Sequence, residues 1–387
     1  MKKTVSVIGS GTMGSGIAQI AASHGCHTVL YDINDEALNK SKASLEKILN
    51  RLIEKGRIDA QIKDLIQKHI TYTTDLNTIK NSDLVIEAII ENFDIKKDLF
   101  TKVEGLVSDQ CVIASNTSSL SITSLAATLQ RPERFLGIHF FNPAPVMKLV
   151  EVIPALQTTP NIVTDIKSLI DSWGKIVVTA KDTPGFIVNK VARPFYSEAF
   201  KIYEEGMATP LEIDTALKEV GGFRMGPFEL TDFIGHDVNY KVTETVWKSF
   251  YHDSRYQPAF CQKNLVDAGY LGRKSGRGFY SYPRTEAGQK TNLSEDRMQA
   301  ITNRVVIMLI NEAADTLHRN IASRDDIDTA MTKGVNYPKG LLKWADDLGI
   351  EECVRRMDIL FEEYHEGRYR CSPLLRRMVR QEKTFYN

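Results

Sequence analysis

His139 and Glu151 are the two residues whose types and spacing are best suited to acid–base chemistry. They lie in the segment GIHFFNPAPVMKLVEVI, each within a short apolar run that is typical of a strand. Two strands joined by a short connection can place an imidazole beside a carboxylate. Such a pair lets the carboxylate orient the ring while the histidine accepts a proton. A purely structural pair would have the same spacing, so the spacing alone leaves both interpretations open.

A glycine-rich segment near the amino terminus is typical of dinucleotide-binding proteins. In VSVIGSGTMGSG, Gly9, Gly11 and Gly14 form the pattern G-x-G-x-x-G between a strand run and a helical run. Glycines at these positions allow a tight turn, a close approach of the backbone to a pyrophosphate and close packing of the helix on the strand. Thr12 and Met13 of the same segment are predicted to contribute to the cofactor site.

An acidic residue at the end of the next strand run predicts which dinucleotide binds. Asp32 ends HTVLYD, where its carboxylate can accept hydrogen bonds from the adenosine ribose hydroxyls and would repel a 2′-phosphate. No arginine follows in INDE to offset that repulsion, so we predict NAD as the cofactor rather than NADP. A role for Asp32 as the amino-terminal cap of a helix is compatible with this prediction.

Composition argues against several other classes of protein. Lysine plus arginine and aspartate plus glutamate number 49 each, so no global field draws the chain to nucleic acid or to a membrane. The five cysteines are scattered without a C-x-x-C pair, which argues against a disulfide framework and a zinc site, and we expect no metal. A reducing cytoplasm fits best, and MKKTVSVIG is too short and too soon interrupted by glycine for a signal peptide or membrane span.

Alternating strand and helix runs predict an α/β, Rossmann-type doubly wound sheet of parallel strands in residues 1–183. The strand runs are TVSVIG, HTVLYD, DLVIEAI, CVIASN, FLGIHFF, LVEVI and KIVVTA. At KDTPGF the pattern changes, and helical periodicity takes over. We therefore expect two tandem all-α domains at 184–284 and 293–387. The polar stretch from Thr285 to Asp296 is interpreted as a linker between them.

The two helical segments resemble each other. EAFKIYEEGMATPLEIDTA, which begins at Glu198, aligns without gaps on EAADTLHRNIASRDDIDTA, which begins at Glu312. Three later residues recur at the same offset: Gly226, Asp232 and Gly235 fall opposite Gly340, Asp346 and Gly349. These matches indicate an internal duplication of one helical domain. Asn303 falls opposite Asn189, but no nucleotide-binding domain precedes it, so no second active site is expected.

Six motifs together resemble the 3-hydroxyacyl-CoA dehydrogenase family: GSGTMGSGIAQ, VIEAIIEN, ASNTSSLSIT, GIHFFNPAPVMKLVEVI, PGFIVN and LGRKSGRGFYSY. The resemblance runs from about Lys3 to Tyr282. It implies an enzyme that interconverts a (3S)-hydroxyacyl-CoA and a 3-ketoacyl-CoA with NAD, using His139 as general base and Glu151 as its partner. It also implies helical domains similar to the carboxyl-terminal domain of 6-phosphogluconate dehydrogenase.

The same resemblance implies further site residues. Ser118, in SNTSSL, contacts the substrate's 3-oxygen, and Asn189, in GFIVNK, reaches that site across the domain cleft. Asn142 hydrogen-bonds the acyl group, and Lys55 meets the CoA nucleotide. Three residues are expected near the nicotinamide and its ribose: Glu91, Lys96 and Asn116.

Three alternatives concern substrate, catalysis and assembly. Two segments, GGFRMGPFELTDFIGHDVN and GVNYPKGLLKWADDLG, resemble 3-hydroxyadipyl-CoA dehydrogenases more than short-chain 3-hydroxybutyryl-CoA enzymes. Arg224 is a candidate partner for a distal carboxylate, and it could equally serve packing or a surface ion pair. A non-catalytic NAD-binding structural protein, as in related lens crystallins, is disfavoured by the intact dyad. Single-repeat relatives form dimers through the helical domain, so we expect either a monomer with an intramolecular pseudo-dimer or a homodimer.

Overall fold

The computed structural model describes residues 3–283 and 292–386 and contains two compact units, Met1–Thr183 and Pro184–Asn387. The first unit is built on eight strands: β1 (Thr4–Ile8), β2 (His27–Tyr31), β3 (Ile70–Thr73), β4 (Leu84–Glu87), β5 (Val112–Ser115), β6 (Phe135–Phe140), β7 (Leu149–Pro154) and β8 (Ile176–Thr179). Its helices are α1 (Thr12–Ser23), α2 (Asp35–Glu54), α3 (Ala60–Lys68), α4 (Phe93–Leu106), α5 (Ile122–Ala126) and α6 (Pro160–Ser172).

The strands form one sheet in the order β3-β2-β1-β4-β5-β6-β7-β8. Strands β4 and β6 are buried at every residue, as expected for strands covered on both faces. The predicted Rossmann-type sheet is confirmed. Two details differ from the sequence prediction: β3 was not among the predicted runs, and β6 pairs with β7 antiparallel although the other neighbours are parallel. The connection 141–148 is too short for a parallel crossover, which needs about a dozen residues.

Helix α2 shows that Asp32 is not a helix cap. The cap is Asn34, whose side chain accepts hydrogen bonds from the backbone N–H groups of Glu36 and Ala37 at 2.8 and 3.3 Å. The capping role considered for Asp32 is therefore wrong, and its carboxylate is used elsewhere.

The second unit is mainly helical in its described residues, with isolated β-bridges between Gly272 and Arg277 and between Arg277 and Ser281. It contains α7 (Val188–Val191), α8 (Arg193–Glu204), α9 (Pro210–Glu219), α10 (Pro227–Ile234), α11 (His236–Ser249), α12 (Phe260–Asp267), α13 (Glu295–His318), α14 (Arg324–Gly334), α15 (Leu341–Leu348), α16 (Ile350–Tyr364) and α17 (Pro373–Arg380). Of the linker predicted at Thr285–Asp296, residues 285–291 lie outside the described residues, and α13 already begins at Glu295. The division into domains 184–284 and 293–387 stays a prediction, because both segments belong to one compact unit.

The duplication is visible in repeated hydrogen bonds. Asp214 in α9 accepts from two backbone N–H groups at the start of α10, and Asp328 in α14 does the same for α15, all at 2.9 Å. Gly226 and Gly340 precede the capped helices, and a Cβ at either would lie 2.3 Å from the aspartate oxygen. The carboxylates need this close backbone approach, which explains why glycine occurs at the same place in both repeats.

The two repeats also exchange buried ion pairs. Lys190 in α7 is fully buried and donates to Glu312, and Arg304, at the matching position of α13, donates to Glu198 at 2.6 Å. Glu198 and Glu312 are themselves matching residues. Each glutamate also accepts a hydrogen bond from a tyrosine hydroxyl: Glu312 from Tyr256 and Glu198 from Tyr369. The repeats are thus related by an approximate two-fold arrangement, in which each supplies the carboxylate for the other's cation.

Within residues 3–283 and 292–386, no helix combines the length and the apolar character needed to cross a bilayer.

Candidate active site

His139 and Glu151 form a buried pair on neighbouring strands. They are directly opposite each other in the β6–β7 register, so both side chains project from the same face of the sheet. His139 Nδ1 lies 2.7 Å from Glu151 Oε2, and the two residues are 6% and 0% exposed. Because a carboxylate accepts hydrogen bonds, Nδ1 carries the proton and Nε2 is the basic nitrogen of the neutral ring.

Most of the predicted site residues of the first unit, with the exception of Lys55, lie at one edge of the sheet. Gly9 follows β1, Asp32 follows β2, and Ser118 lies in the segment after β5. His139 is near the carboxyl end of β6, and the antiparallel direction of β7 brings Glu151 to the same edge. In open α/β sheets, ligands bind at the carboxyl ends of the parallel strands.

The glycine-rich turn is shaped for close approach of a ligand. Gly9 has a φ of +103°, and a Cβ there would lie 2.6 Å from the Ala88 carbonyl oxygen. A Cβ at Gly14 would lie 1.8 Å from the Gly9 carbonyl oxygen, so the helix can pack on the strand only without a side chain. Gly11, the cap of α1, faces open space. The open side of the turn, with the amino terminus of α1, fits a dinucleotide pyrophosphate.

Asp32 is tied to this turn. Its carboxylate accepts hydrogen bonds from the backbone N–H and the hydroxyl of Ser10, at 2.7 and 2.8 Å, and from the Asn34 N–H at 3.0 Å. A carboxylate can accept about four hydrogen bonds, so capacity remains for a ribose hydroxyl. The geometry therefore fits the predicted contact of Asp32 with the adenosine ribose.

Lys96 is at the centre of a buried charge network that includes a residue missed by sequence reasoning. Its ammonium contacts the carboxylate of Glu87, at the end of β4, at 2.5 Å and that of Glu91 at 3.3 Å. Glu87 is fully buried and also accepts from the Ser115 hydroxyl at 2.6 Å. The sequence did contain a sign of this network: Glu87 is a charged residue in an otherwise apolar strand, and a buried charge needs a partner.

Glu91 holds the segment that carries Ser118. It accepts hydrogen bonds from the hydroxyls of Thr117 and Ser119, at 2.5 and 2.8 Å, and from the Ser118 N–H at 3.1 Å. Burial alone would raise the pKa of Glu91, but the Lys96 charge and these hydrogen bonds outweigh it and lower the pKa. Glu91 is therefore a firmly ionised anchor for the Ser118 segment.

Asn116 connects this segment to the strand of the dyad. Its side-chain oxygen accepts a hydrogen bond from the Phe140 N–H at 2.9 Å, one residue beyond His139. This bond couples the end of β5 to the end of β6. Asn116 is thus placed beside the dyad, whereas its predicted contact with the cofactor stays a prediction.

The other predicted residues lie in several places. Thr12 and Met13 form the first turn of α1, and Asn142 is exposed just after β6. Lys55 is exposed at the carboxyl end of α2, about 30 Å along that helix from its start near Asp32. Two residues belong to the second unit: Asn189 is partly buried in α7, and Arg224 is exposed between α9 and α10. The roles of all these residues stay predictions.

No three histidine, cysteine, aspartate or glutamate side chains in the described ranges are arranged to hold a metal ion. The five cysteines are free, and four of them are buried.

A Rossmann-type sheet with this turn and a buried histidine–glutamate pair at its ligand-binding edge defines a dinucleotide-dependent dehydrogenase. Residues 4–183 match the NAD-binding domain model of 3-hydroxyacyl-CoA dehydrogenase, and residues 185–282 and 301–385 match the model of its C-terminal domain. The chain belongs to the 3-hydroxyacyl-CoA dehydrogenase family, whose members are oxidoreductases, and its first unit is that family's NAD-binding domain.

Individual relatives cover either the whole chain or its first three quarters. The 3-hydroxyadipyl-CoA dehydrogenase of Escherichia coli is 38% identical and aligns with 99% of this chain and 98% of its own length. A crystal structure of 3-hydroxybutyryl-CoA dehydrogenase from Escherichia coli covers 99% of both chains, with a TM-score of 0.92 and 38% identity. The probable 3-hydroxybutyryl-CoA dehydrogenase of Bacillus subtilis is 43% identical over 72% of this chain and 97% of its own.

Proposed function

We propose that this chain catalyses the NAD-dependent oxidation of a (3S)-hydroxyacyl-CoA to the 3-ketoacyl-CoA, and the reverse reduction. The observation that carries the proposal is the buried contact of 2.7 Å between His139 Nδ1 and Glu151 Oε2, at the same sheet edge as the glycine-rich turn. A buried imidazole held by a buried carboxylate is suited to accept a proton from a hydroxyl group.

His139 is the general base of the proposed mechanism. Glu151 accepts the Nδ1 hydrogen bond, which holds the ring in one tautomer and stabilises the imidazolium that forms when Nε2 accepts the proton of the 3-hydroxyl group. In the reverse direction the imidazolium returns that proton to the developing alkoxide. Ser118 and, from the second unit, Asn189 position the 3-oxygen, in the manner of an oxyanion site. Asn142 contacts the acyl group and Lys55 the CoA nucleotide.

NAD, when bound, supplies the hydride acceptor for this reaction. Gly9, Gly11 and Gly14 with the amino terminus of α1 would hold the pyrophosphate, Thr12 and Met13 line the same turn, and Asp32 would accept hydrogen bonds from the ribose hydroxyls. Three residues would hold the nicotinamide half: Glu91, Lys96 and Asn116. The buried Lys96 ammonium lies between two carboxylates, which fixes its side chain.

The cofactor preference gives a first test. Wild-type enzyme is expected to prefer NADH strongly over NADPH in kcat/KM, and Asp32→Ala is expected to narrow that ratio. The substitution removes the ribose contact and the repulsion of a 2′-phosphate. Asp64→Ala, an exposed carboxylate on α3, is the control and should leave the ratio unchanged. Equal use of both cofactors by the wild type would show that Asp32 does not face the ribose.

The type of acyl group in the substrate can also be determined by kinetics. We propose a short-chain substrate such as 3-hydroxybutyryl-CoA, because a crystal structure that matches the whole chain is that of a 3-hydroxybutyryl-CoA dehydrogenase. A 3-hydroxyadipyl-CoA dehydrogenase also matches the whole chain and supports the dicarboxylic alternative. The measurement is NADH absorbance with acetoacetyl-CoA and 3-oxoadipyl-CoA in wild type and Arg224→Gln. A preference for 3-oxoadipyl-CoA that Arg224→Gln lowers about ten-fold or more would establish the dicarboxylic substrate. An unchanged ratio would remove Arg224 from that role.

The second repeat, in this proposal, takes the place that a partner subunit takes in single-repeat relatives, so the chain acts as a monomer. The support is the reciprocal pairing of Lys190 with Glu312 and of Arg304 with Glu198. Truncation after Pro283 removes Glu312 and uncovers apolar surface, so the fragment should self-associate or aggregate in light scattering. A soluble, monomeric and fully active fragment would disprove this role.

A further inference from the structure

The two repeats differ most in length after their last helices. After α12, eleven residues (268–278) lead to Phe279 and Tyr280, whose N–H groups donate to Asp232 at 2.9 and 3.0 Å. After α17, four residues (381–384) lead to Phe385 and Tyr386, whose N–H groups donate to Asp346, at 2.8 Å each. The aromatic pair is therefore anchored in the same way in both repeats, and the second repeat lacks seven residues between α17 and this anchor.

The second repeat has an open surface groove beside the shorter segment. In the first repeat the longer segment packs against α10, since a Cβ at Gly272 or Gly278 would lie about 2.2 or 2.1 Å from Asp232 atoms. Tyr203 also packs against the Phe279 ring there, at 5.8 Å, whereas the matching residue of the second repeat is the smaller Leu317. Leu317 and the shorter segment line a groove of about 500 Å³, here called the α17 cavity.

The lining of the α17 cavity is both apolar and cationic. Leu317, Leu374 and Phe385 contribute apolar surface, and none of its lining residues is acidic. Its cations are Arg324, Arg377 and Lys383. Apolar walls combined with a few convergent charged groups can hold a small molecule that has both an apolar and an anionic part.

Two of the cations are held in place by other contacts. Arg324 donates to the Phe385 carbonyl at 2.6 Å and stacks on the Tyr386 ring, 4.1 Å from its centroid, while its Nε contacts the exposed Asp325 at 3.2 Å. Arg377 donates to His318 Nδ1 at 2.7 Å. Because a guanidinium can only donate, His318 Nδ1 accepts this hydrogen bond, and an accepting imidazole nitrogen carries no negative charge that could neutralise Arg377. Arg377 therefore presents a full positive charge at the cavity.

We propose that the α17 cavity binds a small amphiphilic carboxylate, with its carboxylate on Arg377 and Arg324 and a short apolar tail against Leu317, Leu374 and Phe385. A guanidinium presents two parallel N–H groups that match the two oxygens of a carboxylate, which makes arginine the suitable partner. The apolar walls favour a ligand with a tail over a bare anion, because burial of the tail removes apolar surface from water. This proposal does not depend on the proposed catalytic function.

The probe is hexanoate, titrated into the full-length chain by isothermal calorimetry. We expect saturable binding that Arg377→Gln weakens about ten-fold or more, because a charge-assisted pair is lost. Arg377 is exposed on α17, so its replacement leaves the core intact. Arg355→Gln is the matched control, since Arg355 is an exposed arginine of α16 that pairs with Glu352. It should bind hexanoate as the wild type does.

Two further ligands separate the parts of the proposal. Hexan-1-ol has the tail without the charge, and inorganic phosphate has charge without the tail; each should bind about ten-fold more weakly than hexanoate. If hexan-1-ol bound as tightly as hexanoate, the groove would recognise only the apolar tail. If phosphate bound as tightly as hexanoate, the groove would recognise only the charge. Either result overturns the proposal. The absence of saturable hexanoate binding, or unchanged binding by Arg377→Gln, would overturn it as well.

Discussion

His139→Gln is expected to lower kcat about 10²–10⁴-fold while the affinity for NADH stays close to that of the wild type. Glutamine keeps a polar side chain of similar reach but cannot accept the proton of the 3-hydroxyl group. Glu151→Gln should behave similarly, because a neutral amide no longer stabilises the imidazolium that forms on His139. The measurement is steady-state reduction of acetoacetyl-CoA, followed by NADH absorbance.

The control for this prediction is His27→Gln, which removes an exposed imidazole at the start of β2, on the opposite edge of the sheet. It should leave kcat and KM unchanged. NADH binding measured by fluorescence separates a lost base from a damaged cofactor site. Near-normal turnover in either His139→Gln or Glu151→Gln would remove the pair from the mechanism.

Glu312→Gln is expected to lower the free energy of unfolding of the helical unit by about 3–5 kcal/mol. Glu312 accepts from Lys190 and from the Tyr256 hydroxyl, and it lies 3.6 Å from Arg255. Burial lowers the pKa of Lys190, and the Glu312 charge partly offsets this effect. Without that charge, Asp315, 3.8 Å away, is the one carboxylate that contacts the buried ammonium among the residues the structure describes. The measurement is urea unfolding followed by circular dichroism, with a separate transition fitted for each unit.

Glu352→Gln is the matched control for the buried network. Glu352 pairs with Arg355 and Arg356 at 2.6 Å, but this cluster is partly exposed on α16. Solvent screens such pairs, so the loss should be about 0–1 kcal/mol. Equal effects of Glu312→Gln and Glu352→Gln would contradict a special role for the buried pairs between the repeats.

The contact between His139 and Glu151 was predictable because each residue interrupts an apolar run. They sit within FLGIHF and LVEVIP, and a short connection can place two such strands side by side, although the antiparallel direction of β7 was not predicted. The sequence could not show which residues face each other, because a slip of one residue moves a side chain to the other face. The register that brings the two side chains together is a property of the folded sheet.

Other features depended on contacts between distant elements. Glu87 lies inside the predicted run DLVIEAI, and the sequence does not show that its partner is Lys96 in the next helix. The alignment of the repeats matched Lys190 with Arg304, but it did not indicate that each pairs with the other repeat's glutamate. Strand β3 was missed because its four residues, ITYT, include a single buried one. Short, half-exposed runs carry little periodicity.

The most direct test of the proposed function is NADH formation from NAD with (3S)- and (3R)-3-hydroxybutyryl-CoA. The wild type is expected to form NADH with the (3S) ester alone, and His139→Gln should lose that activity by about 10²–10⁴-fold. Absence of NADH formation with either enantiomer, together with no reduction of acetoacetyl-CoA or 3-oxoadipyl-CoA, would contradict the assignment of this chain as a (3S)-hydroxyacyl-CoA dehydrogenase.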